Sequence, residues 1–195
     1  MSPCVDLTAH GDNTDVDDPA GEIRLFSGRV ERLVVVGCAG SGKSTLASAL
    51  SMRTGLPVVE RDGLGRLGSD AYRDAVERIT REQRWIFDGA PYFIDDLVYG
   101  LADAVVILDY RKTTVMWRVL RRTLRVELLR RPAGAHQPVG LAGLRDRAHP
   151  LRWAWISHRD RHDECLALVD RPDLAGSQIV HLTSPRAARR WLRDL

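Results

Sequence analysis

The chain has 195 residues, 44% of them apolar, which is enough for one domain with a proper core. It holds no run of 18 apolar residues, which argues against a membrane-spanning helix, and Met1 to Gly21 lack the basic-then-apolar order of a secretory signal. The net charge of +3 is unevenly placed: residues 1–22 carry Asp6, Asp12, Asp15, Asp17, Asp18 and Glu22 without Lys or Arg, so −6 there leaves +9 for the remainder. This opening segment is polar and acidic and reads as a disordered tail, with the folded domain expected over 23–195. Cys4, Cys38 and Cys165 show no disulfide or metal spacing, which favours a reducing, cytoplasmic setting.

In chain order, Arg32–Val36 predicts the first strand and Lys43–Thr54 the first helix, closed near Gly55. Leu56–Glu60 reads as a short second strand ending at Asp62. Asp70–Gln83 is helical, with Ala71, Val76 and Ile79 as its inner stripe. Arg84–Asp88 makes a third strand, and a short helix follows at Ile94–Leu101. Ala104–Asp109 is a fourth strand, almost wholly apolar, as a central parallel strand should be. Thr113–Leu129 is a long basic helix, and residues 132–143 hold three Gly and two Pro in a connection. Leu151–Val169 is a further helix, Gln178–Leu182 a fifth strand, and Pro185–Leu195 a last helix with Ser184 as N-cap. Fully apolar strands alternating with helices predict an α/β fold, a doubly wound five-stranded parallel sheet with helices on both faces.

Between the first strand and first helix runs Gly37-Cys38-Ala39-Gly40-Ser41-Gly42-Lys43-Ser44, the pattern of a phosphate-binding loop. Only two of the 29 basic residues are lysines, Lys43 and Lys112, so a chance Gly-Lys-Ser is improbable here. Glycines at 37, 40 and 42 let backbone N–H groups converge on phosphates, and the helix N-terminus adds its partial positive charge. Lys43 then reaches the β- and γ-phosphates, and the Ser44 hydroxyl serves Mg²⁺. Asp88 ends the third strand at the same sheet edge, where a carboxylate holds Mg²⁺; Asp109, ending the fourth, is its rival.

The loop, then Asp88-Gly89-Ala90-Pro91, then an arginine-rich helix after the fourth strand resemble the adenylate-kinase-like P-loop nucleotide kinases. The nearer resemblance is to their small relatives known as DNA topology modulation proteins, through Trp85-Ile86-Phe87-Asp88-Gly89, Trp117-Arg118-Val119-Leu120-Arg121-Arg122 and the tryptophan-rich Leu151–Ile156. The resemblance covers about residues 32–195. It implies that Gly37, Gly40, Ser41, Gly42, Lys43, Ser44 and Thr45 hold the phosphates of ATP, with Ser44 and Asp88 at Mg²⁺. It also implies that Arg118 and Arg122 stack on the donor base and clamp phosphates, tasks that suit planar guanidinium groups. A shortened lid would span Arg130–Pro150, and Arg159 or Arg161 beyond it would close on the transferring group. The chain departs from that pattern at Tyr92, where such kinases carry the arginine that grips the acceptor phosphate; either the acceptor is not a nucleoside monophosphate, or another arginine such as Arg66 or Arg73 substitutes.

Other residues leave alternatives open. Asp62 either accepts a proton from an attacking hydroxyl or is a turn residue before Gly63. His158 and His162 have zinc spacing, but with Arg159 and Arg161 between them a solvated helix face is favoured. The five tryptophans read as core or lid packing, with Trp153 or Trp155 as candidates to stack on an aromatic acceptor. The leading expectation is an ATP- and Mg²⁺-dependent kinase of a small acceptor. The alternative is a regulatory ATP- or GTP-binding protein with slow hydrolysis that acts on nucleic acid or a protein partner, which the basic body would also serve.

Overall fold

The computed structural model describes residues 28–65, 69–89, 95–129 and 149–195. The acidic segment 1–22, nearly all of the expected lid, and Arg66, Pro91 and Tyr92 lie outside them. In chain order come β1 (Arg32–Gly37), α1 (Lys43–Thr54), β2 (Val58–Glu60), α2 (Arg61–Leu64), α3 (Ser69–Arg81) and β3 (Trp85–Asp88). Then follow α4 (Asp95–Leu101), β4 (Ala104–Leu108), α5 (Lys112–Leu129), α6 (Pro150–Val169), a 3₁₀ turn at Pro172–Leu174, β5 (Gln178–Leu182) and α7 (Pro185–Asp194). The strands form one parallel sheet in the order β2-β3-β1-β4-β5, so β1 is central. Among the described residues no helix is long and apolar enough to cross a membrane.

Side chains alternate along β1 and so divide the core in two. Leu33 and Val35 face one layer with Leu46, Ala47 and Leu50 of α1, Val115 and Val119 of α5, and Trp191 of α7. Val34 and Val36 face the other, with Tyr72 and Val76 of α3 and Val98 and Tyr99 of α4. All five β4 residues are buried, each large one contributing about 1.5–3 kcal/mol of burial free energy. Helix α6 joins both layers. Its Ala154 packs in the first and its Cys165 and Leu168 in the second, so it passes over the carboxyl end of β4.

The inner stripe of α3 differs from the expected one: Tyr72, Ala75 and Val76 are buried, whereas Ala71 is exposed. The tyrosine ring supplies more burial than a methyl, and rotating the helix by one residue brings it inside. Both αL closure at Gly55 and the Ser184 cap on Ala187 N (3.1 Å) form as the sequence predicts. The single turn α2 and the 3₁₀ turn have no periodic signal at their length.

Asp103 pins the amino edge of the sheet. Its carboxylate accepts from the amides of Glu31 (3.0 Å) and Arg32 (2.8 Å) and from the Arg32 guanidinium (2.6 Å). Burial alone would raise its pKa, but the Arg32 guanidinium and the two amides outweigh that and hold it below the usual carboxylate range. The stabilisation is therefore present above the unfolded-state pKa and lost as pH falls through the folded one. Asp103→Ala should cost about 2 kcal/mol in urea unfolding at pH 7. The gap should narrow below about pH 4; a gap independent of pH would contradict this account.

Candidate active site

The loop leaves β1 at Gly37 and closes on itself through Ser41 N donating to the Cys38 carbonyl (3.1 Å). Gly40 and Gly42 carry φ of 83° and 96°, which side-chain-bearing residues rarely adopt. They are also sites of close approach. A Cβ on Gly40 would lie 2.4 Å from Val119 Cγ2, and one on Gly42 would lie 2.6 Å from an Arg118 guanidinium nitrogen. Gly42 is the N-cap of α1 and offers no side-chain acceptor, so the opening amides of α1 are left for another acceptor. Ser44 and Thr45 stand exposed in that first turn.

Lys43 is folded back over the loop, its ammonium donating to the carbonyls of Gly37 and Cys38, each at 3.0 Å. Burial pushes its pKa down and Arg61 adds to this, while Asp88 pulls it up. Asp88 pairs in register with Val35 of β1 and Glu60 of β2. Its Oδ1 is buried without a hydrogen-bond partner, as is Ser41 Oγ in the loop. Two unsatisfied buried oxygens beside one half-buried ammonium mark a place built for a further ligand.

On the β2 side, Arg61 lies against Gly89, where a Cβ would sit 3.5 Å from its Nε. It is bound to Asp62 (3.0 Å), whose side chain is half-exposed. Sequence reasoning missed Arg61; its place at the carboxyl end of a parallel strand, next to Asp62, was the available signal. Arg73, by contrast, faces solvent with Glu77 (4.0 Å). On the β4 side, Arg118 rests over Gly42 and near the buried Tyr110 ring (5.9 Å). Burial raises the Tyr110 pKa, partly offset by Arg118 and Arg189.

The remaining expected residues spread out. Arg122 is exposed one turn beyond Arg118, and Arg159 is exposed on α6. Arg161 pairs with Glu164 (2.6 Å) and lies close enough to the loop to lower the Cys38 thiol pKa, which burial raises overall.

The α6 histidines are not a solvated face. His158 is buried with Nε2 on the Tyr110 carbonyl (3.0 Å), and His162 Nδ1 lies 2.8 Å from Asp109. His181 of β5 reaches the same carboxylate at 3.2 Å, so Asp109 is engaged within the protein and does not rival Asp88. Burial raises the Asp109 pKa, but both histidines outweigh this and leave it lowered. The tryptophans also divide: Trp85 and Trp191 are core, while Trp117, Trp153 and Trp155 are more than half exposed, Trp155 under the Lys112 ammonium (3.7 Å).

A glycine loop between a central parallel strand and an uncapped helix, with an acid ending the adjacent strand, defines the P-loop class of α/β fold. No family model and no curated protein matches the chain. Among solved structures it is similar to shikimate kinase from Acinetobacter baumannii in complex with shikimate, at TM-score 0.52 and 14% identity, covering 85% of this chain and 90% of that one. The shikimate kinases of Bacteroides thetaiotaomicron (TM-score 0.44, 12% identity, 85% and 96% covered) and Aquifex aeolicus (TM-score 0.47, 11%, 84% and 92%) are more distant in shape. The first of these likenesses shows a shared fold, a five-stranded parallel sheet with helices around a P-loop.

Gly42→Ala should both strain the cap and displace Arg118. An αL alanine costs about 1–2 kcal/mol, so thermal unfolding should shift down and the affinity for an ATP analogue should drop about tenfold. Unchanged values of both would show that Gly42 has no such role.

Proposed function

We propose that this chain is a phosphotransferase that moves the terminal phosphoryl group of ATP to a small acceptor, with Mg²⁺ as cofactor. One observation carries the reading: a half-buried ammonium and an unpartnered buried carboxylate oxygen flank the open end of a helix whose cap supplies no acceptor. A triphosphate carrying Mg²⁺ would meet all three: its oxygens would accept from the ammonium and the open amides, and the cation with its waters would face the carboxylate.

Phosphoryl transfer asks for positioning and charge neutralisation rather than covalent chemistry. The amides from Gly37 to Thr45 would cradle the donor phosphates, with Lys43 turning from the loop carbonyls to the β- and γ-oxygens. Asp88 Oδ1 and the Ser44 hydroxyl suit a hard cation that keeps several waters. Bound there, Mg²⁺ would neutralise charge on the phosphate oxygens. Arg118 sits where it can cover the donor beside Tyr110. Arg122 and Arg159 would act from the rim, and Arg161 would act from nearer the loop, where its charge reaches Cys38.

The acceptor would lie on the β2–β3 side. There Asp62 would take the proton of the attacking hydroxyl and Arg61 would grip an anionic group, the task that Tyr92 cannot perform. The narrower likeness to DNA topology modulation proteins rests on sequence motifs alone. The fold neighbour bound to shikimate makes that compound one acceptor to try.

The test is ADP formation across a panel of nucleoside monophosphates, nucleosides, sugars and shikimate. An acceptor should stimulate turnover, and Lys43→Ala should reduce it by about 10²–10³-fold. Arg61→Ala should raise the acceptor KM by about 10–100-fold, the worth of a charged hydrogen bond, and leave the ATP KM unchanged. Stimulation by DNA alone, with a steep loss at higher salt, would replace this reading by the regulatory one.

A further inference from the structure

The outer face of α7 is a row of arginines. Ala187, Ala188, Trp191 and Leu192 turn inward, which leaves Arg186, Arg189, Arg190 and Arg193 on one exposed side at helical spacing. With Arg53 from the end of α1 and Leu192, they line a groove of about 500 Å³. Five guanidinium groups meet there and no carboxylate lines the groove. None of the five forms an ion pair among the described residues; Arg53 donates to the Leu192 carbonyl and so ties the two helices together. Like charges this close repel unless an anion joins them.

The chain itself supplies a matching anion. Residues 1–22 hold six carboxylates and no Lys or Arg. They also enter at the right place. Val30, just before β1, packs on the same core layer as Leu50, Trp191 and Leu192, at the amino edge of the sheet. Helices α1 and α7 both end at that edge, where Arg53 meets Leu192. The six residues from Glu22 to Gly28 reach at most about 20 Å, and the arginine row from 186 to 193 is only about 10 Å long.

We propose that the acidic segment 1–22 docks in the α1–α7 arginine groove and shields it from other polyanions. Arginine forks pair well with carboxylates, and each exposed pair is weak and screened by salt. The docking is therefore collective and reversible. It stands independently of the phosphotransferase reading.

Cys4 provides the probe, because Cys38 and Cys165 are buried thiols and burial pushes Cys165 up to about 12. A nitroxide on Cys4 of the full chain should broaden the amide signals of residues 186–195 and 51–54 while sparing α3 on the opposite layer. Those signals should lose roughly half or more of their intensity at low salt and regain it near 1 M salt, where the Debye length is about 3 Å. Arg189→Glu with Arg190→Glu should abolish the effect; both positions are exposed, and an unchanged amide spectrum elsewhere would verify folding. Absent broadening, evenly spread broadening, or broadening that survives the charge reversal would overturn the proposal. So would a short single-stranded oligonucleotide that shifts the arginine signals in a chain whose Cys4 label never approaches them.

Discussion

The first helix begins on a glycine. Because Gly42 has no side chain to accept from the opening amides, and because its left-handed backbone is taken up under Arg118, the positive end of α1 stays open at the sheet edge. Much else in the molecule holds that end in place. Leu46, Ala47 and Leu50 bury the helix against β1, Val119 of α5 presses on Gly40, and Lys43 ties the loop to its own carbonyls.

Around this point the sheet separates two sides. β3 brings Asp88 and β2 brings Arg61 and Asp62 on one side; β4 and α5 bring Tyr110 and Arg118 on the other. Behind the loop, Asp109 binds two histidines from different elements, joining α6 to β5 across the carboxyl end of β4. That clasp holds α6, and Arg161 with it, near Cys38. The loop thus lies between a hydrogen-bonded rear wall and a polar front.

The parallel sheet, its alternating helices and the loop were legible because each has a local signature: β-branched runs, glycines at fixed spacing and caps at Gly55 and Ser184. Asp88 was legible by the same logic, as an acid ending a strand next to β1. What escaped was decided by tertiary pairing. His162 looks solvated in its own helix, and only the fold brings it to Asp109, 53 residues earlier. Ala71 fits the helical stripe as well as Tyr72 does, and packing area chose between them. Arg61 looked like one arginine among many until β2 placed it beside Gly89.

The central claim is that Lys43 exchanges the carbonyls of residues 37 and 38 for the phosphates of a nucleotide. Calorimetric titration of the wild-type chain and of Lys43→Ala with ATP and Mg²⁺ tests it most directly. The account predicts saturable heat for the wild type and its loss in the variant, with the fold intact by circular dichroism. Absence of heat in both, or equal affinity in both, would contradict it.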